Sequence, residues 1–185
     1  MSGEEKKERK VTPIGEAKWA HLDKPKAPFE GKGNPKYQID VVFDPNDEAW
    51  KKWAGEVLAH LKSLPEQTNK KTGEKMLRQS PLKKEFGRDD MATGRYYVTF
   101  KTSDKFKPKV FDKFGKELPE GTLVGNGSKV RVSYLENDFE AFGGGINFYL
   151  NAVQVIELVE YGIHSASSFG FDVEEEPFQV DVDPF

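Results

Sequence analysis

Polar and apolar residues alternate along several stretches of this chain and change to three- and four-residue spacing in one. Between Arg95 and Thr102, Tyr96, Val98 and Phe100 fall on one side of an extended strand, with Arg95, Tyr97, Thr99 and Lys101 on the other. Lys129–Leu135 divides in the same way, Val130, Val132 and Tyr134 against Lys129, Arg131 and Ser133. Lys107–Asp112 sets Lys107, Lys109 and Phe111 opposite Val110 and turns at Asp112–Gly115. Tyr37–Phe43 (YQIDVVF) is a β-branched and aromatic strand, and Thr12–Leu22 is another that carries Trp19. The last strand, Ile146–Val159, starts with Ile146, Phe148 and Leu150 inward and Asn147, Tyr149 and Asn151 outward. It then changes phase near Ala152, which predicts a bulge or burial on both faces.

The helical stretch is Trp50, Trp53, Ala54, Val57, Leu58 and Leu61, one apolar face to be packed on a sheet. Asp44 reads as its N-cap, Pro45 as its first helical residue, and Asp47 and Glu48 as first-turn acids, with Pro65 just beyond the end. Asp23–Pro35 and the long basic stretch Glu66–Asp90 read as loops, and Gly143–Gly145 as a flexible hairpin tip beside Phe139 and Phe142. One helix among alternating strands with long loops predicts a mainly β fold, an OB-type Greek-key β-barrel with one packed α-helix. The expected organisation is a flexible charged N-terminus over 1–10, the barrel domain over 11–160, and a disordered linker with an acidic C-terminal tail over 161–185.

Charge changes the picture. The formal net charge is -3, yet six of the 31 acidic residues lie in the last fourteen positions, leaving 28 basic against 25 acidic in the rest. Lys62–Lys116 alone holds 15 Lys and Arg against 7 Asp and Glu, interleaved with aromatic rings. That pattern suits a polyanion whose bases are unpaired, cations following phosphates and rings stacking on bases. Candidate nucleic-acid contacts are therefore Lys70, Lys71, Arg78, Lys83, Lys84, Arg88, Arg95, Tyr97, Lys101, Lys107, Lys109, Phe111, Lys113, Lys129, Arg131, Phe142 and Tyr149.

Other chemistry finds little support. The chain has no cysteine, so it offers neither disulfides nor thiolate metal sites. His21, His60 and His164 stand apart, and no cofactor or metal is expected. Gly125–Lys129 (GNGSK) has the wrong order for a phosphate loop and precedes a strand instead of a helix. Asp89–Asp90 reads as a turn before it reads as a metal-dependent nuclease site. No apolar run approaches a membrane span and Met1–Lys10 lacks the core of a signal peptide, so a cytoplasmic location without membrane contact is expected.

The tail, Asp172–Phe185 (DVEEEPFQVDVDPF), has no Lys or Arg and too little apolar surface to order itself. Its two aromatic-capped acidic clusters, EEEPF and DVDPF, read either as a solubilising end or as a docking peptide. Phe178 and Phe185 favour docking in an apolar pocket rimmed with basic residues. Asp181, Asp183, Pro184 and Phe185 are the candidate partner contacts.

The runs GEAKWAHLDKP, KGNPKYQIDVVF, DKFGKELPEG, GNGSKVRVSY and INFYLNAVQVIELVEYG, followed by an acidic tail ending in Phe, resemble the single-stranded DNA-binding proteins of T-seven-like bacteriophages. The resemblance covers most of the chain in order. It implies an OB-fold, coating of single strands during replication or recombination, a tail that contacts replisome proteins such as polymerase and helicase/primase, and a homodimer. It also maps the contact-making terminal aromatic onto Phe185. The DVDPF ending departs from that pattern towards the tail tip of bacterial single-strand-binding proteins. The reading is a non-enzymatic single-stranded DNA-binding protein, with an RNA-binding OB module or a tail-mediated interaction adaptor as its alternatives.

Overall fold

The computed structural model describes residues 8–159. The expected flexible N-terminus falls mostly outside this range. The expected disordered tail, with Asp181, Asp183, Pro184 and Phe185, lies wholly outside it.

Within it the elements run β1 (Lys10–Val11), β2 (Gly15–Lys26), β3 (Lys36–Phe43), α1 (Glu48–Ser63), β4 (Lys83–Phe86), β5 (Ala92–Ser103), β6 (Lys109–Asp112), β7 (Lys129–Phe139) and β8 (Gly145–Glu157). Strands β2, β3, β5, β8 and β7 pair in that order, and β7 returns to pair with β2, which closes a five-stranded barrel. All of these pairings are antiparallel except β5 with β8. This is the predicted OB-type barrel with one packed helix. β1 extends it beside β7, β6 beside β8, and β4 beside the N-terminal half of β5.

Alternation sorts the barrel's interior from its exterior as expected. Val98, Phe100, Val130, Val132, Tyr134, Ile146, Phe148 and Leu150 are all buried. The phase change in β8 is real: Ser133 pairs with Ala152 and Tyr134 with Leu150, so Asn151 is an extra residue, and burial resumes at Val153 and Val155.

Helix α1 lays Trp50, Trp53, Ala54, Val57 and Leu61 over one end of the barrel. Trp50 stacks on Phe43 at 4.7 Å, and Trp53 meets Phe148 at 5.8 Å and Tyr134 edge-on at 6.1 Å. The Trp53 indole N–H donates to the Tyr134 hydroxyl at 2.8 Å, so each buried polar group satisfies the other.

Several expected boundaries move. The N-cap is Asp47, whose carboxylate accepts from the Ala49 N–H; Asp44 instead accepts from the Asn46 and Asp47 N–H groups in a preceding turn. Both aspartates suit a cap, and the helix begins after the second because Pro45 serves the turn. The strand expected over Thr12–Leu22 begins only at Gly15 and runs on to Lys26, into the stretch expected as loop, while β1 lies ahead of it at Lys10–Val11. The stretch Glu66–Asp90 is not one loop: it contains β4 and a short hairpin bridged at Thr68 and Lys75. Nor is the triple glycine a free tip. A Cβ on Gly143 would lie 2.6 Å from the Leu77 carbonyl oxygen, and one on Gly145 2.6 Å from that of Gln79, so these glycines let the hairpin seat against the 76–79 segment.

The Trp53–Tyr134 bond generates a stability prediction. Tyr134→Phe strands a buried indole N–H and should cost about 1–3 kcal/mol, part of which returns when Trp53→Phe is added. Burial, first, pushes the Tyr134 hydroxyl up to about 12, against the opposing donation from Trp53. Its contribution is therefore complete below about pH 10 and is lost as pH rises towards 12. Urea unfolding of the single and double variants at pH 8 and pH 11 checks both.

Candidate nucleic-acid interface

The outward faces of β2, β3, β5 and β8 make one continuous surface, because residues paired across a sheet share a face. Tyr149, Lys101, Gln38 and His21 line up in one row across it, then Thr99, Asp40 and Lys18, then Lys83, Tyr97, Val42 and Glu16. Two connections rise beside this surface: the β2–β3 loop over 27–35, which carries Phe29, and the β7–β8 hairpin, which carries Phe142. Both rings are more than 80% exposed, and Phe142 itself has a left-handed backbone. Two adjoining cavities occupy the surface.

The first, about 310 Å³, is lined by Lys36, Lys83, Lys101, Thr99, Asn147 and Tyr149, among others. Burial lowers the Lys101 ammonium from its ordinary value, and the charges of Lys36, Lys83 and Lys26 lower it further while Asp40 opposes them. The like charges gathered around Lys101 mark a local excess of positive potential that Asp40 offsets only in part. The Lys83 ammonium also sits 5.9 Å over the Tyr97 ring, and Tyr149 is 45% exposed beside the cluster. His21, in the same row, is lowered by burial and by Lys26.

The second cavity, about 550 Å³, is ringed by Trp19, Phe86, Tyr97 and Arg88 over a floor of Asp40, Val42, Lys18 and Glu85. Its floor is fixed by a buried carboxylate. Glu85 accepts from Lys18 at 3.0 Å, from Thr93 at 2.9 Å, and from Arg95 at 2.9 and 3.1 Å. Burial alone would raise its carboxyl, but these hydrogen bonds and the Arg95 charge hold it below the ordinary range. Arg95 and Lys129 also reach Glu16, at 3.3 and 3.6 Å.

Of the residues singled out in the sequence, Lys83, Arg88, Tyr97, Lys101 and Tyr149 meet on this surface, with Phe142 at its hairpin edge. Others do not join them. Arg95 and Lys129 are committed to the Glu16–Glu85 network. Lys107 pairs with Asp23 and Glu120, the Asp23 bond raising its ammonium, and it lines a separate cavity with Lys109. Arg78 donates to the Leu64 carbonyl and serves the fold. Lys84 pairs with Tyr96, whose ring stacks on Trp50, and so faces the helix side. Arg131 and Phe111 flank Gln154 on the β6–β8–β7 sector, and Lys113 covers Phe114 at the turn after β6. Lys70 and Lys71 ride the tip of the Thr68–Lys75 hairpin.

Trp19 and Phe86 were not among the candidate contacts, although Phe86 is one of the rings interleaved with the basic stretch. Trp19 is 59% exposed at a bulge: Lys18 pairs with Asp40 and His21 with Gln38, three steps on β2 against two on β3. A signal was present in the sequence, since Ala17 and Leu22 are both buried yet have opposite parity, which requires one extra residue between them. Phe86, 60% exposed, was hidden because β4 read as loop.

The Asp89–Asp90 pair makes a turn, closed by Asp90 N–H to the Gly87 carbonyl. Among the described residues no group of three or more His, Cys, Asp or Glu is placed to hold a metal ion.

No family model and no curated protein matches the chain. Solved structures do. The crystal structure of gp2.5, a single-stranded DNA-binding protein of bacteriophage T7, superposes with a TM-score of 0.62 at 19% identity, over 94% of this chain and 99% of that one. The single-stranded DNA-binding protein of bacteriophage Enc34, in complex with ssDNA, superposes with a TM-score of 0.60 at 22% identity, over 83% of this chain and 89% of that one. A further structure of the Enc34 protein gives 0.54 at 20% identity, over 87% and 89%. The chain has the fold of these phage proteins, as the resemblance in its sequence implied.

The Glu85 network carries a test of its own. Glu85→Ala takes the shared partner from Arg95 and Lys18, which are partly solvated, Arg95 keeping Glu16, and should cost about 1–2 kcal/mol of stability at neutral pH. Because the carboxyl is lowered, its contribution is present above about pH 4.5 and is lost as pH falls below it. Wild type should thus lose more stability than Glu85→Ala between pH 6 and pH 3, read by urea unfolding.

Proposed function

We propose that this protein binds single-stranded DNA through the outer face of β3, β5 and β8, coating strands without catalysis. The observation that carries the reading is the Lys36–Lys83–Lys101 cluster, under mutual repulsion and beside Tyr97 and Tyr149. Phosphates relieve that repulsion and release counterions, a contribution blind to sequence. The exposed rings take unpaired bases, which a duplex keeps stacked away, at about 1–3 kcal/mol for each base stacked. Likeness of fold to a protein solved with ssDNA supports the reading, and OB barrels commonly use this face between its two flanking loops.

The test is fluorescence anisotropy of one labelled oligonucleotide, single-stranded and duplexed, from 50 to 300 mM salt, with an RNA competitor. Tight, salt-sensitive preference for single-stranded DNA supports the proposal. Equal affinity for the duplex refutes it, and stronger competition by RNA reassigns the face to RNA. Replacing Lys36, Lys83 and Lys101 by Ala should lower the log–log salt slope by about 2. Tyr149→Ala should weaken binding with little loss of stability, since its ring is already 45% exposed.

The tail belongs to the same proposal through its composition. Asp172–Phe185 is a polyanion tethered to a basic surface, suited to compete with DNA and to present Phe185, with Asp181, Asp183 and Pro184, to replication proteins in the cytoplasm of a phage's host. Deleting 172–185 should tighten single-strand binding at low salt and have little effect at high salt. Removing Phe185 alone should leave DNA affinity unchanged.

A further inference from the structure

The two cavities on the binding face differ in charge, and the difference gives them different occupants. The Lys36–Lys83–Lys101 cavity suits phosphate. The larger one is unsuited to it, because the Asp40 carboxylate and the Glu85 network occupy its floor. Glu85 is fully engaged with Lys18, Thr93 and Arg95, which leaves it no reason to bind anything else. Asp40 is held differently: the Thr99 hydroxyl donates to one of its oxygens at 2.7 Å, and Thr99 can fix the carboxylate's orientation without neutralising it.

The walls are apolar and aromatic. Trp19 stands in the left-handed region at φ 51, a conformation unfavourable for a residue with a Cβ, and its backbone N–H donates to the Asn126 side-chain oxygen at 2.9 Å. The strain turns a large indole, which ordinary alternation would send into the core, outward to the rim of this cavity. Phe86 and Tyr97 supply two more ring faces, and Arg88 offers a cation at the mouth.

We propose that this cavity is a nucleobase pocket whose Asp40 carboxylate accepts a hydrogen bond from an exocyclic amino group, so that one position of the bound strand favours cytosine or adenine over thymine. The inference rests on the single-strand binding proposed above. It adds a bias at one nucleotide to an affinity that phosphates otherwise make independent of sequence. The chemistry is that of a carboxylate accepting from cytosine N4. Thymine presents O4 at the same place, an acceptor facing a negative charge. Phosphate passes outside the pocket, towards Arg88 on one side and the lysine cluster on the other.

The experiment measures affinity of the full chain for oligo(dC) and oligo(dT) of equal length at pH 7.5, for wild type, Asp40→Asn and Trp19→Phe. Indole emission is followed in the same titrations. The chain has three tryptophans, of which Trp50 and Trp53 are buried under the helix, so quenching by DNA reports Trp19. Asp40→Asn retains the shape and an oxygen for Thr99 while turning an N–H₂ towards the base. The dC-to-dT affinity ratio should fall about five- to tenfold in this variant, and quenching seen in wild type should disappear in Trp19→Phe. An unchanged ratio in Asp40→Asn, with salt-sensitive binding intact, overturns the base pocket and leaves the proposed function standing. Binding without tryptophan quenching overturns it as well. Absence of single-strand binding by wild type removes both.

Discussion

The molecule depends on one buried cluster of aromatic rings that joins helix α1 to the barrel. Among the described residues, seven rings, Phe43, Trp50, Trp53, Tyr96, Phe100, Tyr134 and Phe148, form one connected cluster beneath and within the helix contact. Large rings supply much apolar burial per residue at little cost in side-chain entropy. They also need partners for the few polar atoms they carry inside, and the Trp53–Tyr134 bond meets that need at the point where helix and barrel join. Helix α1 covers that end, and among the described residues no helix covers the exterior of β3, β5 and β8, where the cations and exposed rings accumulate.

Core and interface are thereby two sides of the same strands. In β5, Val98 and Phe100 are fully buried while Tyr97, Thr99 and Lys101 line the cavities. Rigidity inside transmits to position outside: Tyr97 cannot shift along the strand without carrying Val98 out of the core, because a one-residue slip exchanges the faces. The β2–β3 loop lacks this constraint, and its exposed Phe29 has freedom to adapt, whereas the β7–β8 hairpin is held against the 76–79 segment and offers the Phe142 ring from a fixed backbone.

What could be read in the sequence followed from local period. The faces of β5 and β7, the bulge in β8 and the apolar stripe of α1 were legible because each is written in consecutive residues. Charge was legible as composition and misleading as location. Arg95, Lys107 and Lys129 look like free cations, yet each meets a carboxylate far away in sequence, Glu16, Asp23 and Glu16 again, and Arg95 meets Glu85 across the β4–β5 pair as well. Nothing in local pattern announces such pairs. Strand β4 was illegible for a related reason, since Lys83–Phe86 is short and polar and exists through its pairing with β5. The cap at Asp47 was a choice between two adequate aspartates, settled by which one the turn at Pro45 consumes.

The bulge at Trp19 links these levels. An uninterrupted β2 would bring Ala17 and Leu22 to opposite faces, so the extra residue is required by the core. The position it creates is left-handed, where glycine or asparagine would be the easier occupant. A buried indole there would be explained by packing, but Trp19 is 59% exposed, and it is its backbone N–H that donates to the Asn126 side chain. The core therefore accounts for the bulge and not for the tryptophan in it. A strained site that could hold a small residue, and instead carries the largest ring beside Phe86, Tyr97 and an acidic floor, is explained by what the ring meets outside.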